Sequence, residues 1–287
     1  MIIDGKKIAE EILTKALNES QTLHNNNVEP CLAIIVVGNN KASKVYVNNK
    51  TKACTKAQIK TQEYFLPKKT AECELISLIE KLNNNQTVNG ILVQLPLPKH
   101  INTFNVIEKI NPKKDVDGFT VFNSGKLFTG NPGLIPCTAY GIIKVLDHEH
   151  IDIEGKHCVM IGRSNIVGKP TAALLTQRNA TVTLCHSKTQ NLANICKQAD
   201  ILISAVGRPK FITPEMIKPG AVVIDVGINY DENGKLCGDV DFEAALPICH
   251  AITPVPGGIG PITVAMLVTN TILATKIQNN LIKEKED

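Results

Sequence analysis

The chain reads as short, unbroken apolar runs separated by longer stretches of mixed character. CLAIIVVG is continuously apolar and ends in glycine, the pattern of a strand buried on both faces in a parallel sheet. Before it, Ile8, Ile12, Leu13 and Leu17 mark one face of an opening helix. After it, ASKVYVNNKTKACTKA reads as helix, IKTQEYFL as strand, ECELISLIEKLNNN as helix, and GILVQLPLP as a strand running into a proline-rich loop. The asparagine runs Asn25–Asn27 and Asn83–Asn85 read as helix-ending loops. Such alternation predicts an α/β fold with a mainly parallel sheet.

The alternation pauses near NPKKDVDGF and FTGNPGLIPCT, where Pro, Gly and Asn cluster, and this is the candidate domain boundary. YGIIKVLDHEH reads as a connecting helix. Strands and helices then resume with HCVMIG, a helix from about Val167, TVTLCH, a second helix, ILISAVG, a short helix and AVVIDVG. PITVAMLVTNTILATKIQNNLIKEK closes the chain as a long helix, read as amphipathic.

Composition narrows the class. At 287 residues, with 43% apolar and 20% charged residues, the chain suits a globular protein of two domains. The net charge of +4 is small and the basic residues form no block, so neither a nucleic-acid nor a membrane-surface partner is expected. The mixed-sign IKEKED reads as a solvated end. Nine cysteines show no CxxC and no Cys/His cluster, which excludes the usual metal and redox motifs and suggests a reducing compartment. The charged N-terminus does not read as a signal peptide, and no apolar run reads as a membrane span, so a soluble, cytoplasmic protein is expected.

HCVMIGRSNIVGKP has the form of a strand, a tight turn and a helix start. In a nucleotide-binding βαβ unit such a turn presents backbone N–H groups and a positive helix end to a pyrophosphate. Of the G-x-G-x-x-G fingerprint only Gly162 is present, with Ser164 and Val167 at the other glycine positions, so an ordinary βα turn reads equally well. The next strand, TVTLC, runs into His186, Ser187 and Lys188 without the acid that would hold the ribose hydroxyls of NAD. Arg163, Ser187 and Lys188 suit a ribose phosphate instead, which favours NADP; the alternative is solvated loop charges. AVGRP and DVGIN place further glycines at strand ends, where open α/β sheets hold ligands.

In the first half, Tyr46 and Lys50 stand four residues apart and share a helix face, in a segment without a carboxylate. Taken alone they read as a half-buried ring and a snorkelling lysine. Gln94 ends the GILV strand and Asp117 lies in DVDGF, where each also reads as a strand or turn residue. All three segments are expected to converge on one cleft.

YVNNK, VQLPLP, DVDGF, IGRSNIVGKP and PVPGGIGPIT, in this order, resemble the bifunctional methylenetetrahydrofolate dehydrogenase/cyclohydrolase family, the FolD type of one-carbon metabolism. The resemblance runs from DGKKIA to the final helix. It implies a folate-binding catalytic domain over 1–120 plus 266–287 and a Rossmann-like NADP-binding domain over 121–265, with the final helix packing back on the former. It implies Lys50 as the catalytic lysine of the cyclohydrolase step, with Tyr46 stacking beside the folate, Gln94 bonded to the lysine and Asp117 gripping the pterin. A carboxylate suits adjacent N–H donors, and a lysine base is served by having no acid beside it. The resemblance further implies substrate contacts at Val93, Leu95, Pro256, Gly257, Gly258 and Pro261. It implies cofactor contacts at Gly162, Arg163, Ser164, Ile166, Val167, Ser187 and Ile228, no metal, and a homodimer. Ala139 stands where the family usually has a second proline, and Ile259 and Ile262 where valine and methionine are common. Rival readings are a monofunctional dehydrogenase, a shikimate-type NADP dehydrogenase, which would lack PGGIGPIT, and a nucleotide-binding protein without chemistry.

Overall fold

The computed structural model describes residues 1–38 and 41–282, so the charged tail past Ile282 lies outside the described residues. The chain forms two compact units. Glu10–Cys137 and the stretch from Val264 onward make the first; Met1–Ala9 and Thr138–Thr263 make the second.

The chain enters the first unit along α1 (Gly5–Asn25). There follow β1 (Cys31–Val37), α2 (Lys41–Lys56), β2 (Lys60–Leu66), α3 (Glu72–Asn84), β3 (Gly90–Val93), α4 (Thr103–Ile107) and α5 (Val121–Phe128). The strands form a parallel sheet of order β2-β1-β3. All seven residues of β1 are buried because it lies between two partners, as its unbroken apolar sequence predicts. An isolated parallel bridge, Ile91 to Asp115, lays the DVDGF segment along the free edge of β3. On α3, Leu75, Ile79 and Leu82 recur at helical spacing and fill the core between helix and sheet. The Glu74 carboxylate reaches back to the Ala71 N–H (2.9 Å) at the start of α3. At its end the buried Lys114 amine donates to the carbonyls of Leu82, Asn83 and Asn85 at 3.0, 2.8 and 2.8 Å.

The second unit begins on α6 (Cys137–His148), whose first turn holds the buried Ala139. It continues through β4 (His157–Ile161), α7 (Gly168–Gln177), β5 (Thr181–Cys185), α8 (Leu192–Cys196), β6 (Ile201–Ser204) and β7 (Val222–Asp225). A short hairpin, β8 (Asn229–Tyr230) and β9 (Leu236–Cys237), then α9 (Phe242–Ala245) and β10 (Ala251–Ile252) complete it. Five strands form a parallel sheet of order β10-β7-β6-β4-β5. The Ile3 N–H donates to the Ile252 carbonyl (2.9 Å), so the first residues of the chain join the edge of this sheet. The hairpin and β10 are too short for a two-residue period to show in sequence.

The last helix, α10 (Ile259–Gln278), departs from expectation in two ways. It is not amphipathic: Ile262, Ala265, Met266, Leu267, Val268, Ile272 and Ala274 are buried around most of its circumference. By length and composition alone it could cross a membrane, contrary to the sequence reading, yet 61% of its most apolar window is buried inside the protein. Its polar groups tie it to the first unit. Asn270 donates to the carbonyls of Val116 and Ile135 (2.8 Å each), Gln278 to those of Asn89 and Lys113 (2.7 and 2.9 Å), and Lys276 pairs with Glu19 of α1 (2.7 Å).

Candidate active site

In the first unit three sequence-predicted residues meet at the carboxyl end of the sheet. Lys50 projects from α2, the helix that follows β1, and its amine donates to Gln94 Oε1 at 2.9 Å. Gln94 stands one residue past β3, where its N–H donates to the Ile35 carbonyl (2.8 Å). Its side-chain Nε2 donates to the Leu95 carbonyl (2.8 Å), which turns Oε1 toward the lysine. Asp117 lies two residues past the Ile91–Asp115 bridge, at the same end of the sheet. Its carboxyl is half-buried, and burial pushes it up to about 6; the Lys50 charge opposes that shift and Asp115 adds to it.

Among the described residues no carboxylate forms an ion pair with Lys50, yet its charge reaches Asp117, because a parallel sheet brings together segments that are distant in sequence. Tyr46 stands one turn before Lys50 on α2, also half-buried, with Val47 behind it in the core. Val93 packs its side chain into the core between α3 and the sheet, so it presents only backbone to a ligand, whereas Leu95 is partly exposed.

Sequence reasoning missed the residues that hold these in place. Asp115, fully buried, accepts from the N–H groups of Phe119 (3.2 Å) and Thr120 (2.8 Å) and from Asn123 Nδ2 (2.9 Å), fixing the turn that carries Asp117. The Asp-x-Asp-Gly pattern is a turn signal that points to it. Cys137 Sγ donates to the Val116 carbonyl (3.3 Å), and its thiol is pushed well up by burial and then by Asp117. Cys54, one turn past Lys50, is pushed up to about 12 by burial; both thiols are therefore protonated and apolar in behaviour.

In the second unit the turn after β4 is built as a phosphate-binding turn requires, by a route the fingerprint does not show. Gly162 has φ +120°, and a Cβ there would lie 2.5 Å from the Ala205 carbonyl oxygen. Gly168, one position beyond the expected glycine, packs its Cα against the Gly162 carbonyl where no side chain fits. Ser164 Oγ accepts from the N–H groups of Val167 (3.2 Å) and Gly168 (3.4 Å), capping the start of α7. Arg163, Ser164 and Ile166 are exposed on this turn. Ile161 pairs with Cys185 across the β4–β5 ladder, so Arg163 and Ser187, each two residues further on, leave the sheet side by side. Ser187 and Lys188 are exposed there, and Ile228 is 48% exposed in the loop after β7. An exposed cation, hydroxyl and glycine turn at one strand edge fit a phosphorylated dinucleotide.

Pro256, Gly257, Gly258 and Pro261 form the bend that starts α10, with a cis bond before Pro256. Pro256 is exposed and Pro261 partly so; Gly258 is buried against the Pro254 carbonyl, and its own carbonyl abuts Gly5. Among the described residues no group of His, Cys, Asp and Glu is placed to hold a metal ion.

Comparison with known proteins agrees with this geometry. The tetrahydrofolate dehydrogenase/cyclohydrolase catalytic domain matches residues 3–117, and the NAD(P)-binding domain of the same family matches residues 136–279. The bifunctional protein FolD of Acetivibrio thermocellus is 55% identical over 277 residues, 96% of this chain and 97% of that protein. The crystal structure of the bifunctional FolD enzyme from Campylobacter jejuni is 46% identical, with a TM-score of 0.95 over 96% of this chain and 99% of that one. A Trypanosoma brucei FolD structure, complexed with NADP cofactor and an inhibitor, is 38% identical, with a TM-score of 0.93 over 96% of this chain and 97% of that one. Matched by both domain models and by relatives along nearly its whole length, the chain belongs to the tetrahydrofolate dehydrogenase/cyclohydrolase family.

Proposed function

We infer that the protein is a bifunctional folate enzyme. It oxidises 5,10-methylenetetrahydrofolate to the 5,10-methenyl form with NADP and hydrolyses that product to 10-formyltetrahydrofolate. The observation that carries the reading, given the family, is the bond from Lys50 to Gln94 at 2.9 Å, with the raised Asp117 carboxyl at the same end of the sheet. A protein that only binds nucleotide has no use for a lysine that is bonded to an oriented amide and whose charge reaches a half-buried acid. Family membership removes the shikimate-type reading.

Asp117 accepts paired N–H donors of the pterin, a charge-assisted contact that fixes the ring. Those donors draw on the Asp117 charge when folate binds, which leaves Lys50 with Gln94 as its main polar partner. Water adds to the methenyl carbon and gives one proton to the Lys50 amine; the bond from that carbon to N5 then breaks as the hydroxyl becomes the formyl oxygen and its proton passes to N5, with one net proton released. Tyr46 supplies a flat face for the folate. Gly162, Arg163, Ser164, Ile166, Val167, Ser187 and Ile228 hold the NADP, with Arg163 and Ser187 toward the ribose phosphate. When bound, NADP accepts the hydride from the methylene carbon, and the protein orients the two partners. Leu95 lines the folate site in the first unit, and Val93 contributes through its backbone. The family also makes a homodimer in the cytoplasm the expected form.

The test mixes the purified protein with methylenetetrahydrofolate and NADP, with NAD in parallel, and follows reduced cofactor and methenyl product together. Formation of NADPH with only transient methenyl is the expected result. Methenyl that decays at its uncatalysed rate would reduce the protein to a monofunctional dehydrogenase, and absence of NADPH would overturn the reading.

A further inference from the structure

Beneath the exposed loops after β6 and β7 lies a polar structure that the reaction does not itself use. Asp239 is 0% exposed, and its carboxylate accepts four hydrogen bonds. Oδ2 takes Ser204 Oγ (3.1 Å) and the Val206 N–H (2.6 Å); Oδ1 takes the Arg208 N–H (3.0 Å) and Asn229 Nδ2 (2.9 Å). Asp225, 2% exposed, accepts from the N–H groups of Gly227 (2.9 Å), Asp239 (3.0 Å) and Val240 (2.8 Å). The two interlock: Gly227 lies on the Asp239 carboxylate and Gly238 on that of Asp225, so closely that neither position has room for a Cβ.

Among the described residues no cation pairs with either acid. A buried, unpaired carboxylate is costly, and its four donors are the physical reason it stays. Only an acceptor-only group satisfies four converging donors; an amide would set its NH2 against an N–H or surrender one oxygen. The donors come from two segments, the end of β6 with the loop after it and the start of β8. Ala205 to Arg208 follow β6, and Ala205 is also the residue that backs Gly162. Asn229 follows Ile228 after β7. The exposed tips of these loops, Gly207, Arg208 and Ile228, stand over the buried acid.

We propose that Asp239 is a positioning residue for the dinucleotide: its carboxylate locks the loops after β6 and β7 into one edge that backs the Gly162 turn and presents Ile228 to the cofactor. This rests on the reading that the second unit binds NADP. Asp239→Asn is expected to raise the NADP dissociation constant about tenfold or more, and the KM for NADP with it, while the KM for methylenetetrahydrofolate stays within about twofold. Ser204→Ala removes one donor and leaves three; it is expected to raise the NADP constant about threefold. A residue that merely supported the fold would lower the melting temperature of both variants and leave the NADP constant of the folded protein alone. An NADP constant within twofold of the parent in Ser204→Ala, or in folded Asp239→Asn, overturns the proposal; if Asp239→Asn does not fold, Ser204→Ala decides. A parent that binds no NADP overturns the cofactor reading itself, a failure distinct from one confined to the variants.

Discussion

The two units solve different chemical problems with different parts. In the first, side chains from three segments gather at one end of the sheet: the Lys50 amine bonds to the Gln94 amide, and its charge reaches the Asp117 carboxyl. In the second, the turn at Gly162 is shaped by backbone and by missing side chains, while Arg163, Ser187 and Lys188 at the same strand edge stay in solvent. Proton transfer needs a titratable group held at a set distance in a protected place. Gripping a pyrophosphate needs N–H groups and close approach, which glycine provides. A change in either unit should therefore leave a different signature.

Asp117→Asn should impair both folate reactions together. Loss of the charged acceptor is expected to lower kcat/KM for both folate reactions about a hundredfold, while NADP binding measured by titration stays near the parent value. The same carboxyl gives a pH signature. Its pKa is raised to about 6, so it is protonated, and loses an acceptor, as the pH falls through that value. The KM for methylenetetrahydrofolate should accordingly rise below about pH 6 in the parent, and Asp117→Asn should flatten that rise.

Gly168→Ala should act on the other unit. The new methyl meets the Gly162 carbonyl and forces the turn apart, at about 1–3 kcal/mol, which would be roughly five- to a hundredfold if carried into NADP affinity. Methenyl hydrolysis assayed without nucleotide should stay within twofold. Arg163→Ala sharpens the contrast between cofactors: NADP affinity is expected to fall about tenfold and NAD affinity to change little, since only the former carries the extra phosphate. Equal losses for both would place Arg163 away from that phosphate. Lys114→Met should have no kinetic effect. It strips three carbonyls at the end of α3 of their donor, and chemical denaturation should show a loss of about 2–3 kcal/mol.

The same contrast governs what the sequence made legible. The buried strands announced themselves because β1 and β4 lie between partners and carry no polar residue in their interiors. Tyr46, Lys50, Gln94 and Asp117 were recognisable by family pattern, since side-chain chemistry fixes residue identity. The effect of the Lys50 charge on Asp117 was not, because it arises from segments brought together at one end of a sheet. Gly168 escaped because the fingerprint counts positions, whereas the turn requires only that some glycine meet the Gly162 carbonyl. Asp239 escaped because an aspartate in GDVDF looks like any turn residue until its four donors, drawn from two other segments, are seen. The burial of α10 was hidden by its threonines and asparagine, which read as a polar face but bond to carbonyls inside the protein.

The most direct test of this division of labour is methenyltetrahydrofolate hydrolysis by the parent and by Lys50→Met, without nucleotide, beside an NADP titration of the same two proteins. A fall in hydrolysis of about a hundredfold or more with NADP affinity unchanged is the predicted result. Hydrolysis by Lys50→Met at the parent rate would contradict the account, because the lysine held by Gln94 would then have no part in the reaction.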